Sequence, residues 1–247
     1  MSDSLVIIPT YNEKENIARM IDKVMSLPLG FHLLIVDDGS PDGTADIVRG
    51  KMEEYPGRVH IKERQGKLGL GTAYIAGFRW GLEKGYDFIF EMDADFSHNP
   101  DDLARLYDAC AKGAGMAVGS RYVKGGKLEN WPADRVLLSY GASIYVRMIT
   151  FMPVNDPTAG FVCYRREVLE AIDLDKIRFV GYAFQIEMKF AAFQLGYRIA
   201  EVPITFTDRI EGTSKMSSGI IKEAVLGVLQ MRVRGFFNTY KADPPTA

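Results

Sequence analysis

Residues 32–55 read HLLIVDDGSPDGTADIVRGKMEEY, and this stretch decides the fold class. The apolar run at 32–36 predicts a buried strand, which the turn-forming residues at 37–41 end. The segment 45–55 that follows predicts a helix. A short apolar strand followed directly by a helix is typical of a mostly parallel sheet with helices on both faces.

The same alternation continues on both sides of this unit. Further strands are predicted at 5–8, 59–62, 88–92 and 116–119, and further helices at 13–25, 72–84 and 101–112. Asn12 is the expected N-cap of the first helix, because asparagine oxygens accept hydrogen bonds from exposed backbone amides. No repeat or linker interrupts the pattern, so the sequence predicts one α/β domain over residues 1–241 and a flexible tail at 242–247.

The composition excludes several classes of protein. Hydrophobic residues make up 47% and charged residues 25% of the 247, which is typical of a folded chain rather than a disordered one. A net charge of −2 provides no overall basic field that would recruit nucleic acid. Two cysteines suit a reducing cytosol, and no apolar run approaches the roughly 20 residues of a spanning helix. Without a signal-peptide pattern at its start, the chain is expected to be cytoplasmic.

Three polar clusters stand directly after predicted strands, at 9–13, 37–38 and 93–95. In an open parallel sheet, ligands bind in the crevice beyond the carboxyl ends of the strands. The clusters therefore predict a single ligand-binding cleft.

Two of these clusters are acidic. Asp93 and Asp95 flank Ala94, and paired carboxylates suit Mg²⁺ or Mn²⁺ bridged to substrate phosphates. The structural alternative is that they cap the following helix. Asp37 and Asp38 either form a turn or accept hydrogen bonds from a ribose or a base.

A glycine pair at 69 and 71 gives only a weak dinucleotide signal, because it does not follow the first strand. Gly71 is instead expected to let Thr72 begin a helix, with Lys67 near enough to contact an anion at that helix N-terminus. A second basic, flexible segment contains Arg209, Gly212, Ser214 and Lys215 after the strand-like run 199–206, and such loops can close over a polyphosphate.

Two further segments have helical spacing and mixed character. At 136–152, a polar stripe formed by Arg135, Ser139, Ser143 and Arg147 accompanies large apolar residues. This pattern predicts either an ordinary half-buried helix or a helix at a membrane surface that offers arginine and serine to a phosphate. The segment 219–237 is either a packing helix or an interfacial anchor.

Six motifs in order resemble glycosyltransferase family 2, and within it the branch that makes polyprenol-phosphate (dolichol-phosphate) mannose. They are PTYNE at 9–13, VDDGSPDGT at 36–44, GKLGLGTAY at 66–74, DAD at 93–95, GSRY at 119–122 and a basic FxxRxxGxSK segment at 206–215. The resemblance covers about residues 5–230, almost the whole chain.

The resemblance implies a GT-A fold and inverting transfer of mannose from GDP-mannose to a polyprenol phosphate. It implies that guanosine is held by Pro9, Tyr11, Glu13, Val36 and Asp38, and that the metal and diphosphate meet Asp93, Ala94 and Asp95. Ser97 stands where relatives often have a glutamine that binds the metal. The acceptor phosphate would be bound by Arg121, Arg135 and Ser139, and the donor diphosphate by Arg209 and Lys215. Catalysis would rest on Asp95, Arg121 and Arg209. Sugar hydroxyls are expected to meet Asp156 and the pair Gln185 and Glu187, and His98 is a minor site candidate because it closely follows the acidic pair.

The resemblance also implies a peripheral position on the cytoplasmic face of a membrane, reached through amphipathic helices or a small membrane-anchoring subunit. A phosphate acceptor would need no general base, because its second pKa of about 6 leaves it largely dianionic near neutral pH. Three rival functions are a polyprenyl-phosphate transferase for glucose or an aminosugar that uses a UDP-sugar, a sugar-phosphate nucleotidylyltransferase, and a non-catalytic nucleotide- or lipid-binding module.

Overall fold

A seven-stranded sheet forms the centre of the protein in the computed structural model, which describes residues 3–181, 183–208, 218–237 and 240–242. The strands are β1 Ser4–Thr10, β2 His32–Asp37, β3 Val59–Glu63, β4 Phe88–Glu91, β5 Met116–Ser120, β6 Lys127–Glu129, β7 Val162–Arg165, β8 Ile199–Pro203 and β9 Thr205–Thr207. The helices are α1 Ile17–Met25, α2 Thr44–Glu54, α3 Leu70–Glu83, α4 Leu103–Ala111, α5 Ala133–Thr150, α6 Arg166–Ala171, α7 Ala183–Gln194 and α8 Ser218–Gly235.

The sheet order is β3-β2-β1-β4-β7-β5-β8, and every neighbouring pair is parallel except those that involve β7. Strand β7 runs antiparallel to both β4 and β5. Strands β6 and β9 form a separate two-stranded parallel ribbon. The predicted mostly parallel sheet flanked by helices is therefore confirmed.

Both faces of the sheet are buried, which explains why its strands are continuous apolar runs. Leu5 and Ile7 of β1 point into a core shared with α3, α5, α7 and α8. Val6 and Ile8 point to the opposite face, into a core shared with α1, α2 and α4. Helix α5 packs on α8, which in turn packs on α7.

Several boundaries differ from those predicted. Asn12 is not the N-cap of α1, which begins at Ile17, and it has a positive φ of 60° within the preceding loop. Helix α3 begins at Leu70 rather than Thr72, after Gly69 with φ of 99°. The predicted strand at 199–206 is divided between the main sheet and the small ribbon.

The predicted interfacial segments are the helices α5 and α8. Within the described part of the chain, none of the helices combines the length and apolar character needed to cross a bilayer.

Candidate active site

The loops after β1 and β2 are bound to each other. Backbone amides of the first loop donate to side-chain oxygens of the second, from Asn12 to Ser40 Oγ at 3.0 Å and from Glu13 to Thr44 Oγ1 at 3.0 Å. The amide of Lys14 donates to a carboxylate oxygen of the same second loop. The segments PTYNE and DDGSPDGT, which were predicted to border one cleft, thus meet at the carboxyl edge of the sheet.

Asp37 and Asp38 have different roles. The carboxylate of Asp37 is buried and accepts hydrogen bonds from Thr10 Oγ1 at 2.8 Å and from the amide and hydroxyl of Ser40 at 2.9 and 2.6 Å. Asp37 is therefore a turn former, as one of the two interpretations had it. Asp38 accepts from Arg64 Nε at 2.7 Å, and the same arginine donates to Thr72 Oγ1 at 2.8 Å.

The other residues expected to hold a nucleoside lie on the same edge. Lys67 is exposed, and its Nζ lies 5.0 Å from the centroid of the Tyr11 ring. Pro9 and Val36 are partners in the β1–β2 register, and the Val36 side chain is buried in the core. Val36 can therefore present only its backbone to a ligand. At the start of α3, the Gly71 amide donates to the Val180 carbonyl at 2.9 Å and is not available to an anion.

Asp93 and Asp95 occupy the loop that follows β4, and neither caps the next helical turn. That role belongs to Asn99, whose Oδ1 accepts from the Asp101 amide at 3.1 Å. Asp95 Oδ1 accepts from the Ser97 amide at 3.0 Å, which tightens the loop. The capping interpretation of the acidic pair is therefore wrong.

A buried imidazole supports this loop from behind. His98 Nδ1 lies 3.3 Å from the amide of Asp93 and accepts its hydrogen bond, so the ring proton belongs on Nε2. Its ring stacks on Phe161 with centroids 5.0 Å apart. Burial lowers the pKa of His98 to about 4, and the ring is therefore neutral near neutral pH. His98, predicted as a minor site residue, orients the backbone of the acidic pair.

The acidic pair offers the oxygen ligands that a hard divalent cation prefers. Ala94, between them in sequence, is buried. Ser97 Oγ is buried and has no hydrogen-bond partner among the described residues, so its lone pairs are available. The described residues contain no group of three or more His, Cys, Asp or Glu side chains that could hold a metal. A cation held by Asp93 and Asp95 would therefore need further ligands from Ser97 and from substrate phosphates.

Arg121 forms a buried ion pair with Asp156. Its Nε and Nη2 donate to the two carboxylate oxygens at 2.7 and 2.6 Å, and Nη2 also donates to Thr158 Oγ1 at 2.8 Å. Burial opposes ionisation of both groups, but their mutual hydrogen bonds outweigh it, raising the pKa of Arg121 and lowering the pKa of Asp156. Asp156 was expected to bind a sugar hydroxyl. That expectation is wrong, because Arg121 occupies its carboxylate.

The other two residues expected at the acceptor phosphate lie on α5 close to Arg121. Arg135 Nη1 donates to Asp208 at 2.7 Å, and its Cζ lies 3.8 Å from the centroid of the Trp131 ring. Ser139 Oγ accepts from the Tyr122 hydroxyl at 2.7 Å. The Trp131 ring also lies 5.8 Å from Arg121 Cζ, so Arg121, Arg135 and Ser139 form one aromatic-lined cluster. Trp131 Nε1 is buried without a hydrogen-bond partner among the described residues.

A buried polar network links the end of β4, which precedes the acidic loop, to the loop that contains Asp156. Glu91, the last residue of β4, accepts from Tyr164 at 3.1 Å and from Gln185 Nε2 at 2.6 Å. Lys189 Nζ donates to the Ala159 carbonyl at 2.6 Å and to Gln185. Burial raises the pKa of Glu91 to about 7 and lowers that of Lys189 to about 8. No local sequence pattern indicates this network.

The guesses that Gln185 and Glu187 bind sugar hydroxyls are wrong. Gln185 is buried in the network just described. Glu187 is fully buried and accepts hydrogen bonds from the amides of Arg178 and Phe179, from Arg234 and from Tyr240. It therefore anchors the end of the chain rather than a substrate.

The predicted diphosphate ligands Arg209 and Lys215 lie outside the described residues. Their contacts with the donor stay predictions. The described part of the site nevertheless brings the residues predicted to hold the nucleoside, the metal and the acceptor phosphate to one edge of one sheet, an arrangement that would suit a transferase with two substrates.

Comparison with known proteins agrees with this arrangement. The model of glycosyl transferase family 2 matches residues 5–173. The chain belongs to glycosyltransferase family 2. It is similar to a polyprenol monophosphomannose synthase of Mycolicibacterium smegmatis, with 49% identity over 94% of this chain and 88% of that one. It is also similar to an undecaprenyl-phosphate mannosyltransferase of Micrococcus luteus, with 50% identity over 91% of both chains.

Solved structures of low sequence identity share the fold. Glucosyl-3-phosphoglycerate synthase from Mycobacterium tuberculosis, determined with Mn²⁺, UDP and glucosyl-3-phosphoglycerate, has a TM-score of 0.66 and 18% identity. The match covers 93% of this chain and 79% of that one. The predicted GT-A fold is thus confirmed, and this family member is a glycosyltransferase.

Proposed function

We propose that the protein transfers mannose from GDP-mannose to a polyprenol (dolichol) phosphate, with inversion, and releases polyprenyl-phosphate mannose and GDP. Two relatives about half identical over at least 91% of this chain are named for mannose transfer to a polyprenol or undecaprenyl phosphate, which supports the sugar and the acceptor. GDP-mannose is the proposed donor on the motif resemblance described above.

The single observation that supports the choice of acceptor is that α5 has both polar residues near Arg121 and an exposed apolar surface. Its first half contributes Arg135 and Ser139 to the cluster around Arg121. Its remaining surface exposes large apolar side chains, with Leu137 73% exposed and Met148 68% exposed. A phosphate-binding cluster that borders exposed hydrocarbon suits an acceptor with a phosphate head and a long isoprenoid tail.

The same helix forms part of an extended apolar surface, which we call the apolar face. Its members are the exposed residues Leu137, Leu138, Tyr140, Ile144, Met148 and Phe151 together with Leu226, Leu229, Val233, Phe236 and Phe237. Soluble surfaces rarely keep so many large apolar side chains together without a function. We propose that α5 and α8 lie flat on a membrane, so that the protein is peripheral on its cytoplasmic face. A small membrane-anchoring subunit stays a prediction.

The chemistry requires two anions to approach each other, and no proton has to be removed from the attacking oxygen. A phosphate monoester with a second pKa of about 6 is already a dianionic nucleophile near neutral pH. Arg135 and Arg121 would neutralise it, with Arg121 held rigid by Asp156. Asp156 is therefore a positioning residue, since it acts through the guanidinium.

On the donor side, Asp93 and Asp95, with Ser97, would hold Mg²⁺ or Mn²⁺. Bound there, the cation would neutralise charge that develops on the leaving diphosphate. Tyr11, Glu13, Asp38 and Lys67 would hold the nucleoside and its first phosphate at the ends of β1 and β2. Arg209 and Lys215 complete the proposed diphosphate set.

A donor panel tests the proposal. Purified protein, a short polyprenyl phosphate in detergent and Mg²⁺ or Mn²⁺ are offered radiolabelled GDP-mannose, UDP-glucose or UDP-N-acetylglucosamine in parallel. Label entering the lipid phase only from GDP-mannose would support the proposal. Transfer from a UDP-sugar instead would refute the donor. Donor binding without transfer from any sugar would favour a binding module.

A further inference from the structure

Two arginines lie within the apolar face, at the end farthest from the acceptor cluster. Arg147 of α5 is exposed and lines a groove of about 450 Å³ with Ile144, Met148, Phe151, Met152 and Pro153. Arg232 of α8 lies with its Cζ 5.0 Å from the centroid of the Phe151 ring and 4.5 Å from that of Phe236. Two cations therefore lie near one exposed aromatic residue, Phe151.

Neither arginine has a carboxylate partner among the described residues. Other arginines on these helices are compensated, since Arg135 pairs with Asp208 at 2.7 Å and Arg234 pairs with Glu187 at 2.7 Å. Asp134, at the opposite end of α5, is the only acidic residue among the described side chains of the two helices. The apolar face thus has a local excess of positive charge at one end.

This local positive charge can bind a specific anionic group, which the net charge of the whole chain does not explain. The whole chain has a net charge of −2, so its overall field does not draw it to an anionic surface. An arginine at an apolar surface lays its hydrocarbon stem along the rings and keeps its guanidinium at the level of lipid headgroups. A guanidinium there can bind a phosphate through two parallel hydrogen bonds.

We propose that Arg147 and Arg232, both near Phe151, bind the headgroups of anionic phospholipids and so select the membrane on which the protein docks. The inference rests on the proposed membrane docking and adds its lipid specificity. It also sets the orientation, because Arg135 and Arg147 are about 18 Å apart along α5 at 1.5 Å per residue. A headgroup contact at one end of α5 keeps the acceptor cluster at the other end level with the bilayer surface.

Vesicle co-sedimentation at low ionic strength tests the proposal. The vesicles contain phosphatidylcholine alone or an equal mixture of phosphatidylcholine and phosphatidylglycerol. A cation near an anionic surface strengthens binding about five-fold, so we expect the full-length protein to prefer the mixed vesicles about thirty-fold. The double variant Arg147→Gln/Arg232→Gln should lose this preference and keep its binding to phosphatidylcholine.

Two further variants separate the proposed contact from general charge and from misfolding. Arg105→Gln/Lys112→Gln removes two cations from the other face of the sheet, at α4, and should leave the preference unchanged. Arg147→Lys/Arg232→Lys keeps the charge and should retain most of the preference. The variants of Arg147 and Arg232 should melt like the unmodified protein, since neither residue has an ion-pair partner to lose within the described residues. The α4 double variant loses the pairs of Arg105 with Asp102 and of Lys112 with Asp108, and its Tm should fall only slightly because both cations are exposed to solvent.

The outcomes are distinguishable. Equal binding of the unmodified protein to both vesicles, or equal losses in the α5/α8 and α4 double variants, would overturn the lipid specificity and leave membrane docking intact. No binding to either vesicle would overturn both. Sugar transfer to a short polyprenyl phosphate in detergent reports the proposed activity separately, and the Arg147→Gln/Arg232→Gln variant should keep it.

Discussion

Replacing Asp156 with asparagine should destabilise the protein strongly, because it leaves a buried guanidinium without its counter-charge. The Asp156 side chain is fully buried and that of Arg121 is 9% exposed, with 2.6 Å between Nη2 and Oδ1. Removing one partner of a buried ion pair costs about 3–5 kcal/mol of unfolding free energy. For a chain of this length, that corresponds to a fall in Tm of roughly 6–20 °C.

An exposed pair of the same kind provides the control. Arg79 and Asp175 also form an ion pair, but their side chains are 52% and 85% exposed. Asp175→Asn should therefore lower the free energy of unfolding by less than about 1 kcal/mol, because solvent screens the charges. Thermal melting followed by circular dichroism measures both variants. Equal shifts in the two would refute the argument that burial makes the Arg121–Asp156 pair important.

The effect of Asp156→Asn on stability should depend on pH, and the direction of that dependence follows from the pKa of Asp156. The pKa of Asp156 is lowered in the folded state, since the hydrogen bonds from Arg121 outweigh the effect of burial. The pair therefore contributes fully above the unfolded pKa of about 3.9, and its contribution is lost as the pH falls toward the folded pKa. The stability difference between the unmodified protein and Asp156→Asn should accordingly be constant near neutral pH and shrink below about pH 4.

Three further predictions follow from the site and the core. Asp95→Ala should reduce sugar transfer at least about 100-fold while shifting Tm little, because this loop carboxylate contributes little packing; unchanged transfer in a folded variant would remove Asp95 from the mechanism. Gly71→Ala should lower the free energy of unfolding by about 1–3 kcal/mol, because a Cβ there would lie 2.7 Å from the Phe184 ring. A Cβ at Gly50 of α2 would meet nothing within 4 Å, so Gly50→Ala should be neutral or slightly stabilising. Urea unfolding measures both variants. The rate of transfer should rise with pH through a single ionisation near 6, which belongs to the acceptor phosphate. A phosphonate acceptor with a higher second pKa should move this pH–rate profile to higher pH. An unmoved profile would indicate that a group of the protein titrates instead.

The strands were predictable where burial on both faces makes the sequence continuously apolar. Residues 5–8 and 32–36 are such runs, and they became β1 and β2. Helix α7 was not predicted, because nearly all of it is buried and no polar face alternates with an apolar one. Strand β7 has only four residues and follows a loop, so its period is too short to recognise.

The site shows the same division between local and long-range information. The acidic pair and the motif after β2 were recognisable, because polar residues directly follow apolar strands. The pairing of Arg121 with Asp156 joins residues that are distant in sequence, and no local pattern indicates it. Asp156 and Glu187 were assigned to the sugar because acidic residues usually face solvent or a ligand, whereas tertiary contacts bury both here.

The central claim is that a phosphate attached to an isoprenoid tail is the acceptor of mannose. The most direct measurement offers radiolabelled GDP-mannose and Mg²⁺ or Mn²⁺ to the purified protein with one of two lipids, a short polyprenyl phosphate or the matching polyprenol without phosphate. The proposed function predicts label in the lipid phase with the phosphate alone, in a product that mild acid hydrolysis returns to mannose. Label transferred equally to the free alcohol, or no transfer to the phosphate while GDP-mannose binds, would contradict it.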